Sequence, residues 1–157
     1  MRPRQKVVAQ LEETSHRTLA FFEERPSVLR RSYAPRKWTM QQILVHLSDS
    51  ETVLLDRLRR LLSEKQPLLL AFDQDRWAKE LFYPKRSLEL ARSQYIIARL
   101  CVIELAKTLP IKADEKAGTH SEAGPMTFGK VLARVASHNA HHLEQLEAIA
   151  AGRTWPD

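Results

Sequence analysis

Apolar residues recur every three or four positions over four long stretches of this chain, the spacing of an amphipathic α-helix. The cleanest stretch is 87–109, where Leu88, Ala91, Tyr95, Ala98, Val102, Leu105 and Leu109 alternate three and four apart without a break. That 3.5-residue repeat is the seam of a left-handed helix bundle. Ser87 suits its N-cap and Pro110 ends it. An earlier stretch, 39–63, opens on Thr39 and Gln42, a capping box in which each side chain satisfies an amide of the other's turn. Trp38 ahead of the box can staple onto Ile43. The apolar line then runs Ile43, Leu47, Ser50, Leu54, Leu58 and Leu61, with His46 at its edge. The last stretch, 128–150, places Phe128, Leu132, Val135, Asn139, Leu143 and Leu146 within about 60° of one line, and Thr127 can cap it. The first, 5–24, is apolar at its ends (Val8, Leu11, Leu19, Phe22) and polar in the middle (Thr14, Ser15, Thr18). A polar middle fits either a polar cavity or a weakly buried surface helix. Pro26 closes this helix.

The connections are unequal. Residues 26–38 form a basic linker in which Arg30, Arg31, Arg36 and Lys37 either face solvent or face an anion. Residues 68–86 are far longer than the roughly 2–8 residues usual between bundle helices, so they cross one end of the bundle or form a lid. A short helix over 73–80 with Asp73 as N-cap fits here, anchored by Leu68, Leu69, Leu70, Phe72 and Trp77. The segment 111–126 reads as a loop carrying His120 between Gly118 and Gly124, and no strand pattern is evident. The expectation is an all-α, four-helix bundle with a long crossover between the second and third helices, as a single domain over 1–157.

Composition narrows the class. A chain of 157 residues with 43% apolar residues suits one self-sufficient core. A single cysteine, Cys101, lies in an apolar run, which excludes a disulfide framework and points to packing and a reducing cytoplasm. The N-terminus lacks the apolar region of a signal peptide, and no stretch approaches the roughly 18 apolar residues of a membrane span, so no membrane role is expected. The net charge of +6 permits contact with nucleic acid. Yet there is no helix-turn-helix spacing or zinc-finger pattern, and the arginines are spread over several helices, so no nucleic-acid partner is expected.

The candidate chemistry lies in the histidines. On a wheel of about 100° per residue, His138 and His142 stack on one flank of the last helix, whereas His141 points to solvent. Two imidazoles four apart can converge on one metal ion at roughly 2.0–2.1 Å, or be ordinary packed histidines; a third ligand would decide. His46 leans inward from the second helix and can join them only if the second and fourth helices are neighbours, antiparallel so that their levels match. Three neutral imidazoles would leave a fourth position for water, the arrangement of an open rather than a structural site. No general acid or base stands out: Asp49 points away from the core line, Glu51 is on the other flank, and Asp73 and Asp75 sit in the crossover. His120 reads as a surface residue or a substrate contact.

Four segments resemble the DinB/YfiT-like superfamily: Trp38-Thr39-Met40-Gln41-Gln42-Ile43-Leu44-Val45-His46-Leu47; Phe72 to Ala78; His120 followed by Gly124-Pro125-Met126-Thr127; and Ser137-His138-Asn139-Ala140-His141-His142-Leu143-Glu144-Gln145-Leu146. Their order and spacing cover nearly the whole chain. The resemblance implies His46, His138 and His142 as metal ligands, in a bundle that is frequently dimeric. It also implies a divalent metal, with zinc or nickel expected, and a metal-dependent thiol S-transferase or hydrolase. The partners expected are a small-molecule substrate, a low-molecular-weight thiol among the candidates, and a second copy of the chain. The alternative is a non-enzymatic metal- or small-ligand-binding bundle.

Overall fold

In the computed structural model, which describes residues 3–156, the chain runs α1 (Pro3–Phe21), α2 (Pro26–Leu29), α3 (Met40–Ser63), β1 (Leu68–Leu69), α4 (Gln74–Glu80), α5 (Leu88–Thr108), β2 (Ala117–His120), β3 (Gly124–Thr127) and α6 (Phe128–Ala150). The long helices α1, α3, α5 and α6 form the four-helix bundle, and the link from α3 to α5 is its long crossover. Local signals set the helix ends. The Thr39 hydroxyl accepts from the Gln42 amide at 3.3 Å while Gln42 Oε1 accepts from the Thr39 amide at 2.9 Å, closing the capping box. Asp73, Ser87 and Thr127 cap α4, α5 and α6 by accepting from the amides of Arg76, Leu90 and Lys130. At the other end of α5, Arg4 donates to the carbonyl of Leu109 at 2.6 Å and to Asp114 Oδ1 at 2.7 Å, which satisfies a carbonyl that the helix leaves open.

Two apolar clusters fill the bundle. One gathers Leu11, Leu58, Val102, Phe128, Leu132 and Val135; the other gathers Met40, Ile43, Leu44, Leu47, Tyr83 and Leu146. Arg99 links them, with its guanidinium 5.2 Å from the Tyr95 ring and a donated bond of 3.0 Å to the Leu11 carbonyl. Its Nε and Nη2 each lie 2.8 Å from an oxygen of Glu51, and Nη2 also donates to Asn139 Oδ1 at 2.8 Å. Tyr95 donates to the same Asn139 oxygen, and Asn139 Nδ2 donates to Thr18. The polar middle of α1 is thus no surface stripe: Thr14 and Thr18 are buried against this network.

Three further expectations change. The segment 111–126 is not all loop, because β2 and β3 form a hairpin (His120 opposite Gly124) and β1 pairs in parallel with β2 (Leu68 opposite Thr119). Strands of two to four residues are too short for alternation to register in the sequence. The crossover is anchored by fewer residues than its apolar content suggests: Leu69 is buried, but Leu68 and Leu70 are 57% and 65% exposed, since neighbours on a strand face opposite ways. Pro26 starts α2 instead of closing α1, which stops at Phe21. Among the described residues no helix is long and apolar enough to cross a membrane.

Candidate metal centre

The two helices that carry the inward histidines run antiparallel. Ile43, near the start of α3, lines one cleft with Gln145 near the end of α6, while Leu61 near the end of α3 lies against Gly118 ahead of α6. This arrangement brings His46, His138 and His142 together. Their ring centroids are 5.1 Å (His46–His138), 4.8 Å (His46–His142) and 4.6 Å (His138–His142) apart. Nε2 of His46 and Nε2 of His138 are 3.1 Å apart, and one ring nitrogen from each of the three lies within 4.8 Å of the others. Tetrahedral ligands at 2.0–2.1 Å from one ion stand about 3.3 Å from each other, so the three nitrogens need only a small closure. His46 and His142 are buried and His138 is half-buried, which leaves the group reachable from one side. His141 is exposed, as its place on the wheel requires, and packs edge-on to Trp155 at 6.1 Å.

Neighbours hold the rings in place. His142 Nδ1 donates to Gln145 Oε1 at 2.7 Å, so its proton is on Nδ1 and its Nε2 keeps a lone pair. Gln145 in turn reaches His141 Nε2 at 3.3 Å. The Ser50 hydroxyl lies 3.2 Å from His46 Nε2. Trp38 and Phe72 flank His46 at centroid distances of 4.8 and 6.5 Å, and Trp77 packs on Phe72 at 4.6 Å. The crossover therefore covers the centre as well as spanning the bundle.

Burial also sets the charge. It pushes His46 down to about 3, with a smaller push from His142. It pushes His138 down to about 2, helped by His142 and His46. It pushes His142 down to about 4, although the bond to Gln145 pulls the other way. All three are neutral near pH 7, the form that ligates metal. The donor set and its protonation thus fit a divalent cation.

The other weighed residues fall elsewhere. His120 Nδ1 accepts from the amides of Glu122 and Ala123, both at 3.2 Å, and so stabilises the hairpin turn outside the centre. Glu51 is paired with Arg99 in the core; burial raises its carboxyl while Arg99 pulls it down. Asp49 does not point outward: it is buried, accepts from Gln94 at 3.1 Å and faces Arg86 at 3.6 Å. Asp73 is occupied as a cap. Asp75 lines a cleft of about 340 Å³ with His142, Gln145 and Trp38. Arg36 of the basic linker lines the same cleft, whereas Arg76, an arginine of α4 that the sequence does not single out, lines a separate groove of about 890 Å³.

Several neighbours of the centre do not stand out in the sequence. Gln145 and Ser50 stand three and four residues after a histidine on the same helix, so helical spacing alone places each beside it. Trp38 and Phe72 reach the ring of His46 by packing between segments, which leaves no local signal.

Residues 10–146 match the model of the DinB superfamily. The Oceanobacillus iheyensis protein named "Putative metal-dependent hydrolase OB0782" is 29% identical over 126 residues, which are 79% of this chain and 72% of that protein. The Halalkalibacterium halodurans protein named "Putative metal-dependent hydrolase BH0277" is 26% identical over 127 residues, 76% of this chain and 69% of that protein. Among solved structures, YfiT from Bacillus subtilis, described as "a probable metal-dependent hydrolase with an unusual four-helix bundle topology", superposes with a TM-score of 0.87. The match covers 98% of this chain and 91% of YfiT at 19% identity, a likeness of fold.

Proposed function

The chain belongs to the DinB superfamily, and from that premise we propose that it is a metal-dependent hydrolase of a small molecule, with His46, His138 and His142 holding a divalent cation. One observation carries the reading: three neutral imidazoles from two helices converge within 4.8 Å. The names of the relatives support hydrolysis. Zinc or nickel is the preferred ion, since imidazole suits both. A divalent cation supplies a Lewis acid for a carbonyl or phosphoryl oxygen and lowers the pKa of water or a thiol beside it. The chain's own residues do the rest. Gln145 keeps the His142 proton on Nδ1, so that Nε2 faces the centre. Trp38 and Phe72 wall the ring of His46 from bulk water. Asp75 is the carboxylate placed in the cleft to accept a proton. A cleft of about 340 Å³ suits a small substrate. Thiol S-transfer is the finer alternative and requires the same three ligands.

The test is the metal content of untagged protein beside a His138→Ala/His142→Ala variant. About one equivalent in the parent, absent from the variant, is expected. Screening the loaded protein against esters, amides and phosphoesters, and against thiol acceptors, then separates hydrolysis from transfer. A parent that takes up neither zinc nor nickel refutes the reading.

A further inference from the structure

The stripe of α3 that carries His46 continues past the metal centre. Ser50, Val53, Arg57 and Arg60 follow it at steps of four and three, which keeps them within about 40° of its line. Val53 and Arg57 are half-buried beneath the crossover and floor the groove of about 890 Å³. Leu68, Leu70, Ala71, Phe72, Trp77 and Leu81 give that groove apolar walls. Phe72 belongs to both places: it lines the groove, and its ring is 6.5 Å from that of His46. At 1.5 Å per residue, Val53 stands about 10 Å along the helix from His46. The groove therefore begins beside the centre and runs away from it.

Most charges on its walls are spent within the protein. Arg60 pairs with Asp56 at 2.7 Å, Arg57 donates to the Leu70 carbonyl, Asp73 caps α4 and Glu80 lies 3.8 Å from Lys79. Arg76 is the exception, exposed at the rim. What the groove offers is apolar surface, with Leu68, Leu70 and Leu81 exposed along it, and such a patch marks a binding site. Its shape decides the kind of occupant. A concavity of this volume, walled by aliphatic and aromatic side chains, has the dimensions of a small-molecule site, whereas a stable protein partner needs a patch of roughly 800 Å² on each side.

We propose that the groove holds an apolar arm of the substrate, so that the substrate class is a small molecule with an uncharged alkyl or aryl arm attached to its reacting group. The inference rests on the reading of His46, His138 and His142 as a metal centre, where the reacting end would lie. The arm passes the Phe72 ring and lies along Val53, so these two residues determine specificity.

The experiment titrates zinc-loaded protein by calorimetry with straight-chain alkyl hydroxamates of increasing length, beginning with acetohydroxamate, which bring their own metal-chelating group. Affinity in the parent should rise about two- to fourfold with each added methylene. Val53→Trp fills the floor of the groove and should flatten that rise at unchanged zinc content and unchanged acetohydroxamate affinity. Leu70→Glu sets a carboxylate at an exposed position of the rim, where no packing is lost, and should reduce the rise as well. Equal affinity along the series in the parent, or a rise that survives both variants, overturns the inference and leaves the metal centre standing. A parent that sediments as a dimer and is split by Leu70→Glu assigns the groove to a second copy and overturns it too. A parent that takes up no zinc overturns the metal reading, and this inference with it.

Discussion

Replacing Arg99 by methionine removes one half of the buried ion pair that joins α3 to α5. Arg99 is 1% exposed, and its side chain makes three contacts at 2.8 Å, two to Glu51 and one to Asn139, plus one at 3.0 Å to the Leu11 carbonyl. Methionine fills much of the aliphatic volume, so the main consequence is electrostatic: Glu51, 2% exposed, is stranded without its cation. Breaking one side of such a pair costs about 3–5 kcal/mol. Against a typical total of about 5–15 kcal/mol, that is a large share. The pH dependence follows from the sign. With Arg99 gone, burial holds the Glu51 carboxyl even further above its ordinary 4.5. A raised carboxyl contributes stability below its unfolded pKa and loses it as pH rises. The deficit of Arg99→Met relative to the parent should therefore be larger at about pH 8 than at about pH 5. Taking the difference at each pH removes the histidine titration common to both proteins. The assay is urea unfolding followed by far-UV circular dichroism. The double variant Glu51→Leu/Arg99→Met should recover much of the loss, because it removes the stranded charge. A loss below about 1 kcal/mol for Arg99→Met, or a deficit that grows toward acid pH, refutes the reasoning.

Two more outcomes follow from the centre. In chelator, the protein should lose stability as pH falls below the ordinary histidine value of 6.5, because His46, His138 and His142 are held at about 3, 2 and 4 and the unfolded chain binds more protons in that window. Stability is full above 6.5 and falls with a slope of at most about 4 kcal/mol per pH unit for three groups; a urea midpoint that stays flat from neutral to about pH 4.5 contradicts this. Gln145→Leu removes the acceptor of the His142 Nδ1 proton and should weaken zinc binding about 10–100-fold, measured by chelator competition, with Gln145→Glu restoring much of it. Affinity within twofold of the parent for Gln145→Leu dismisses the orienting role.

Much of this molecule was legible before its tertiary structure. The helix α6 spans the stretch that its period marks, and α3 starts where the capping box of Thr39 and Gln42 places it. That His138 and His142 turn inward while His141 faces solvent was legible for the same reason. Caps, breakers and helical faces depend on residues within four positions of one another, so a single turn of chain contains the information. The hairpin of β2 and β3 was not legible, because its strands are held by partners across the turn and by β1, some fifty residues earlier. Nor was the fate of the acidic residues: Glu51 pairs with Arg99, 48 positions away, while Asp75 reaches the cleft of His142. Arg36 and Arg76 look alike in sequence yet line different cavities. Residue types and helical faces were thus determined locally, including which imidazoles turn inward. That His46 meets His138 and His142 was decided only by the antiparallel packing of α3 on α6, since fitting apolar stripes between elements some ninety residues apart is a property of the assembled core.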